Sequence, residues 1–161
     1  MNITRLFTLQ KQLDDRILEE HRLKREDLFS SKILALEVEI GELANETRCF
    51  KYWSQKPPSS NSVILEEYVD GLHFILSLGI DGGWQRDTIE AGEPASTLTE
   101  NFHKVFEAIF SLRQEPKKES FVTLLVVYLG LGKALGFSPE EVKEAYIEKN
   151  QKNHERQDEG Y

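Results

Sequence analysis

The sequence predicts an all-α protein, a bundle of about five to six helices forming one domain over residues 1–161, with no sheet. Three observations carry that expectation. Apolar residues recur every three or four positions along most of the chain, which is the helical period. No stretch makes a convincing strand by sustained apolar–polar alternation. The periodic segments are also separated by residues that stop or start helices: Pro57-Pro58, Pro116, and Gly136 followed by Ser138-Pro139.

Taken in order, Ile3, Leu6, Leu9, Leu13 and Ile17 form the stripe of a first helix. A second is expected to begin near Asp27 and Ser30, with Ile33, Leu36, Ile40 and Leu43 as its core face. Residues 56–61 cannot continue a helix and read as a connection, after which Ser62 or a neighbour caps a third helix running to about Leu78. Residues 79–94, rich in Gly and charge, read as a loop or a short helical excursion. Thr97 or Thr99 then caps a fourth helix through Phe102, Val105, Phe106, Ile109 and Leu112. Pro116 separates it from a fifth over residues 121–135, apolar on nearly every side and stopped by Gly136. Ser138-Pro139-Glu140-Glu141 starts a sixth, with Ser at the cap, Pro at the first helical position and Glu at the third. The polar run from Lys149 to Tyr161 could be taken for a disordered tail.

Composition narrows the function. Hydrophobic residues make up 39% and charged residues 30%, values of a globular rather than a disordered chain. The formal charge of −8 disfavours general binding of a nucleic-acid polymer, which needs clustered Lys and Arg. The single cysteine, Cys49, excludes an internal disulfide framework and a Cys-based zinc cluster. The longest apolar stretch, residues 122–131, falls short of the roughly 20 residues needed to span a bilayer. The expectation is therefore a cytoplasmic protein with no membrane role. The abundant apolar faces, residues 121–135 above all, suggest a homodimer interface.

The chemistry-bearing residues lie on the second and third helices. Glu39, Glu42 and Glu46 are spaced i, i+3, i+7 and share one stripe, and Glu67 and Asp70 repeat the i, i+3 spacing with Glu66 adjacent. Such spacing by itself describes many solvated helix faces. On the third helix, however, Glu67 and Asp70 continue into Gly71, Phe74 and Leu78, while Tyr68, Leu72, Ile75 and Leu76 supply the other sides. Carboxylates in so apolar a helix repel one another and are poorly solvated unless a cation joins them. Antiparallel packing across the Pro57-Pro58 connection would set the acidic pairs face to face. That makes a hard oxygen site suited to Mg²⁺, with Mn²⁺ as a possible substitute.

These residues are familiar. Glu39-Ile-Gly-Glu42 followed by Glu67-Tyr-Val-Asp70 resembles the metal motif of the all-α NTP pyrophosphatases, which include MazG-like enzymes and the dimeric dUTPases. Asp70-Gly-Leu-His73-Phe74 and the run from Tyr146 to Tyr161 resemble the dUTPase branch in particular. The resemblance implies hydrolysis of dUTP to dUMP and pyrophosphate, which limits uracil incorporation into DNA. It implies that Glu39, Glu42, Glu67 and Asp70 hold the magnesium ions, with Glu39 also orienting or deprotonating the attacking water. His73 would sit near the deoxyribose, and Lys149, Arg156 and Tyr161 would contact the phosphates, with Asn150 and Asn153 nearby. Gln12 and Trp53 would belong to the uracil end, with Asp15 or its neighbour Asp14 facing the base.

Each of these has a plainer reading. His73 on an apolar helix suits a hydrogen-bonded core histidine. Trp53, after Phe50 and Tyr52, suits a helix-end core cluster. Lys149 to Arg156 suits a solvated basic helix end, and Tyr161 a frayed terminus. The sharper reading of the tail is a segment that orders over bound nucleotide and excludes water. Within the enzyme class the alternative is a MazG-like pyrophosphatase acting on dCTP or a modified nucleotide. Outside it, the alternative is a helical interaction module whose acidic face binds a basic partner.

Overall fold

Six α-helices and no strand make up the chain in a computed structural model that describes residues 1–161. They are α1 (Thr4–Glu20), α2 (Phe29–Thr47), α3 (Asn61–Gly82), α4 (Leu98–Gln114), α5 (Lys118–Ala134) and α6 (Pro139–Asp158), with one 3-10 turn at Arg25–Asp27. The one β-type contact is an isolated antiparallel bridge between Asn2 and Thr88. No single helix is long and apolar enough to cross a membrane.

The helix ends follow local chemistry. Thr97 caps α4 by accepting from the Glu100 N–H. Ser138 and Glu141 form a reciprocal capping box at the start of α6, with Pro139 behind the cap. Gly136, at φ +87°, turns the chain out of α5 while its N–H and that of Phe137 return to the Lys133 and Gly132 carbonyls.

Helices α2 and α3 form an antiparallel hairpin. At one end the Ser59 N–H donates to the Glu46 carbonyl at 3.0 Å. At the other, Lys32 and Arg25 donate to the Asp81 carboxylate at 2.5 and 2.7 Å. Ile33, Leu36, Ile40 and Leu43 are buried against α3, whose own Tyr68, Leu72, Ile75 and Leu76 are all but inaccessible. Helices α4 and α5 form a second hairpin, and α1 and α6 pack on α3 and on each other.

Two tyrosines lock α3 to α5. Their rings stack in parallel with centroids 4.6 Å apart. The Tyr68 hydroxyl donates to the Tyr128 carbonyl at 3.0 Å, and the Tyr128 hydroxyl donates to the Tyr68 carbonyl at 2.5 Å. Glycine makes room for both: a Cβ on Gly71 would stand 2.3 Å from the Tyr128 hydroxyl, and one on Gly132 2.4 Å from that of Tyr68.

Three expectations change. Helix α3 does not end near Leu78 but continues to Gly82, because Gly79 is a packing glycine rather than a stop: a Cβ there would meet the Phe121 ring at 2.4 Å. The polar C-terminal run is not a tail. It is helical to Asp158, with Lys149 and Asn150 buried and Arg16 of α1 holding the His154 carbonyl at 3.1 Å and Asp158 at 2.6 Å. Finally, the apolar sides of α5 are largely spent inside the chain's own core, since Phe121, Leu124, Leu125, Tyr128 and Leu131 are fully buried. Exposed large apolar residues lie instead on neighbouring α2 and α4, at Leu34, Val38, Phe106 and Phe110.

Candidate metal and ligand site

The hairpin register sets the acidic residues of α2 and α3 opposite one another. Carboxylate oxygens of Glu39, Glu67 and Asp70 all lie within 4.8 Å of each other, and all three side chains are half-buried. Glu42 is exposed and stands at the rim, lining an open groove with Val38, Gly41, Asn45, Glu46 and Glu67. Ser59 secures Glu46 by donating its hydroxyl to that carboxylate. Three of the four expected cation ligands are thus already convergent, with the fourth one helical turn from Glu39.

The electrostatics describe a site short of positive charge. Burial pushes the Glu39 carboxyl up to about 7, helped by the charges of Asp70, Glu42 and Glu67. Burial likewise raises Glu67, and the neighbouring Asp70 and Glu42 add to it. Asp70 is raised by burial against the opposing pull of Lys149. Carboxylates that resist ionising together, held at cation-ligating separation by two rigid helices, fit a hard divalent ion.

The one cation inside this cluster comes from α6. Lys149 Nζ lies 2.9 Å from Glu66 and 3.1 Å from Asp70, with its side chain 9% exposed. Burial disfavours the ammonium, but the pairing with Glu66 and Asp70 outweighs it and raises the pKa. Glu66, named from the sequence only as a neighbour, is therefore the partner that docks α6 onto α3. Arg156, exposed two helical turns further along α6, is close enough for its charge to favour the ionised forms of Glu66 and Asp70.

Beside this cluster lies a buried polar chain. Asp14 of α1 accepts from the Gln10 amide and the Ser77 hydroxyl, each at 2.8 Å. The Gln10 carbonyl oxygen faces His73 Nδ1 at 2.6 Å and also receives the Tyr146 hydroxyl. His73 is 6% exposed and stacks on Tyr146 with ring centroids 4.1 Å apart. Burial holds its pKa down near 3, so the ring is neutral. Its Nε2 is the one buried side-chain polar atom of the protein with no partner. Gln10 escaped the sequence reading although it carried a signal: Gln10 and Asp14 stand at helical spacing from Leu6 on the buried stripe of α1, where a polar side chain needs a partner.

Other expected residues are dispersed. Gln12 and Asp15 face solvent on α1, the latter paired with Lys11 at 2.5 Å and Arg25 at 2.7 Å. The inward register is that of Gln10 and Asp14, because Leu6 and Leu13 set the buried face. Trp53 is 64% exposed in the α2–α3 connection, edge-on to Tyr52 and Phe50, and is not part of a core cluster. Asn150 is buried and donates to the Leu9 carbonyl at 3.4 Å. Asn153 is half-buried beside Arg156, and Tyr161 lies beyond the helix with its ring 5.5 Å from the Arg156 guanidinium.

A sequence-family profile described as dUTPase matches residues 2–161, all but the first residue of the chain. A search of curated proteins finds no match.

Proposed function

The chain belongs to the dUTPase family, and from that premise we propose how its residues carry out the reaction. It is a nucleoside triphosphate pyrophosphatase, a dUTP diphosphatase that converts dUTP to dUMP and pyrophosphate. The match over the whole chain displaces the interaction-module alternative.

The observation supporting the catalytic reading is the convergence of Glu39, Glu67 and Asp70 on one point between two rigid helices. With Glu42 at the rim, these residues would hold Mg²⁺, and Mn²⁺ would substitute. Bound there, the ions would offset phosphate charge and supply an activated water. Glu39, one of the convergent carboxylates, would orient the attacking water and accept its proton. Lys149 would turn from Glu66 and Asp70 towards the phosphates, joined by Arg156 and Tyr161, with Asn150 and Asn153 bracing that end of α6. His73 would meet the sugar. Trp53, exposed and free to stack, would cover the base.

The same proposal includes a homodimer. Its apolar contribution would come from Leu34 and Val38 on α2 and Phe106 and Phe110 on α4 rather than from α5. Because Val38 also lines the acidic groove, association there would border the site.

Glu42→Gln and Asp70→Asn are each expected to abolish Mg²⁺-dependent pyrophosphate release from dUTP while the far-UV circular dichroism stays helical. Full activity in either variant would remove the metal-site assignment. A nucleotide panel run in parallel would show dUTP strongly preferred over dCTP and UTP.

A further inference from the structure

The hydrogen-bond chain between α1, α3 and α6 determines which nitrogen of His73 carries its proton. Asp14 offers two acceptors, one used by the Ser77 hydroxyl and the other by Gln10 Nε2. The Gln10 amide is therefore oriented: rotated by half a turn, it would set oxygen against carboxylate oxygen. Its Oε1 is left facing α3 and α6, where it meets the Tyr146 hydroxyl and His73 Nδ1. An oxygen can only accept, so Nδ1 donates. In a neutral imidazole Nε2 must then present a lone pair. Tyr146, stacked on the ring, opposes any rotation that would exchange the two nitrogens. The result is an acceptor with no partner, more than nine-tenths buried, one helical turn beyond Asp70.

We propose that Gln10 is a positioning residue, oriented by Asp14, that fixes His73 in the Nδ1–H tautomer, so that Nε2 accepts a hydrogen bond from a donor on the nucleotide. This rests on the nucleotide occupying the acidic cluster. With its phosphates at Asp70 and Lys149, the next group along the molecule is the sugar, and the donor that fits is its 3′-hydroxyl. A uracil N3–H has the same donor chemistry and is separated from it by experiment. Recognition of this kind rejects an analogue lacking the donor, because the buried acceptor is then left unpaired.

Two measurements test the proposal. In the full chain labelled with ¹⁵N-histidine, long-range ¹H–¹⁵N spectra at neutral pH are expected to show Nδ1 protonated and Nε2 bare for His73. An Nε2–H tautomer or an imidazolium would overturn the proposal whether or not the protein turns over dUTP. In hydrolysis, the wild type is expected to lose roughly tenfold or more in kcat/KM on 2′,3′-dideoxy-UTP relative to dUTP, and Gln10→Met is expected to leave any penalty on N3-methyl-dUTP unchanged. Gln10→Met, close in size but without the acceptor, is expected to lose that same factor on dUTP and little on the dideoxy analogue, collapsing the discrimination. Equal losses on both substrates would make Gln10 merely structural and sink the proposal. Discrimination confined to the N3-methyl compound would overturn the sugar as the donor. Failure of the wild type to hydrolyse dUTP would refute the functional reading instead, leaving the tautomer spectrum as an independent result.

Discussion

Replacing Glu39 by Gln should make the protein more stable, not less, above neutral pH and without divalent cations. The folded protein raises the Glu39 pKa from 4.5 to about 7, so it favours the neutral carboxyl. Such a group contributes stability that is fully present below the unfolded pKa and is lost as pH rises through the folded one. Near pH 5 the wild-type side chain is protonated in the fold and resembles glutamine; near pH 8 it is a charge among charges. At about 1.36 kcal/mol per pKa unit the full linkage has a ceiling of about 3.4 kcal/mol. The side chain is only half-buried, and solvent screening reduces this to about 1–2 kcal/mol. Urea denaturation in EDTA, followed by circular dichroism, reads the difference directly. Glu39→Gln is expected to gain about 1–2 kcal/mol on the wild type between about pH 5 and about pH 8, and added Mg²⁺ should erase that gain by stabilising the wild type more. Parallel stability curves for the two proteins across this window would refute the picture of crowded carboxylates awaiting a counter-ion.

Lys149→Met strips Glu66 and Asp70 of their cation and is expected to cost the apo protein about 1–3 kcal/mol. In calorimetry the same variant should bind Mn²⁺ alone more tightly, since the lysine 3.1 Å from Asp70 competes for the carboxylate, while its kcat/KM on dUTP falls. Gly132→Ala drives a methyl group against the Tyr68 hydroxyl and should cost about 1–3 kcal/mol in urea denaturation, with Mg²⁺-dependent activity falling alongside. Ser138→Ala removes the α6 capping box for about 1 kcal/mol, visible as a midpoint lowered by roughly 2–4 °C, with dUTP turnover in excess Mg²⁺ little changed.

What the chain disclosed in advance was whatever depends on near neighbours in sequence. The Ser138-Pro139-Glu140-Glu141 box, the Thr97 cap and the Gly136 stop are local hydrogen-bond chemistry, and each stands where its residues predict. The acidic pairs on α2 and α3 were legible because charge on an apolar helix is anomalous whatever that helix packs against. What stayed hidden needs a distant partner. Gly79 read as a breaker because nothing near it announces the Phe121 ring lying against it. The apolar sides of α5 suggested a second subunit because periodicity does not show that α3 and α4 consume them. The resemblance pointed to Gln12 and left Asp15 or Asp14 open, whereas the stripe set by Leu6 and Leu13 turns Gln10 and Asp14 inward. The polar end of α6 looked like solvated chain because Glu66 and Asp70, which bury Lys149, are some eighty residues away.

The reciprocal tyrosines also bear on which ions the proposed metal site would tolerate. Tyr68 lies between Glu67 and Asp70 in the sequence of α3, and both tyrosine hydroxyls would lose their carbonyls together if α3 slid or rolled against α5. The scaffold beneath Glu67 and Asp70 is therefore stiff, and adapting to a larger ionic radius would fall to side-chain torsions alone. Were the proposed site to take Ca²⁺, which asks for more oxygens at longer and looser distances, that scaffold would be strained, whereas the small octahedral Mg²⁺ would not strain it. Under the proposed metal site, selectivity between the two would begin with an aromatic pair that touches neither.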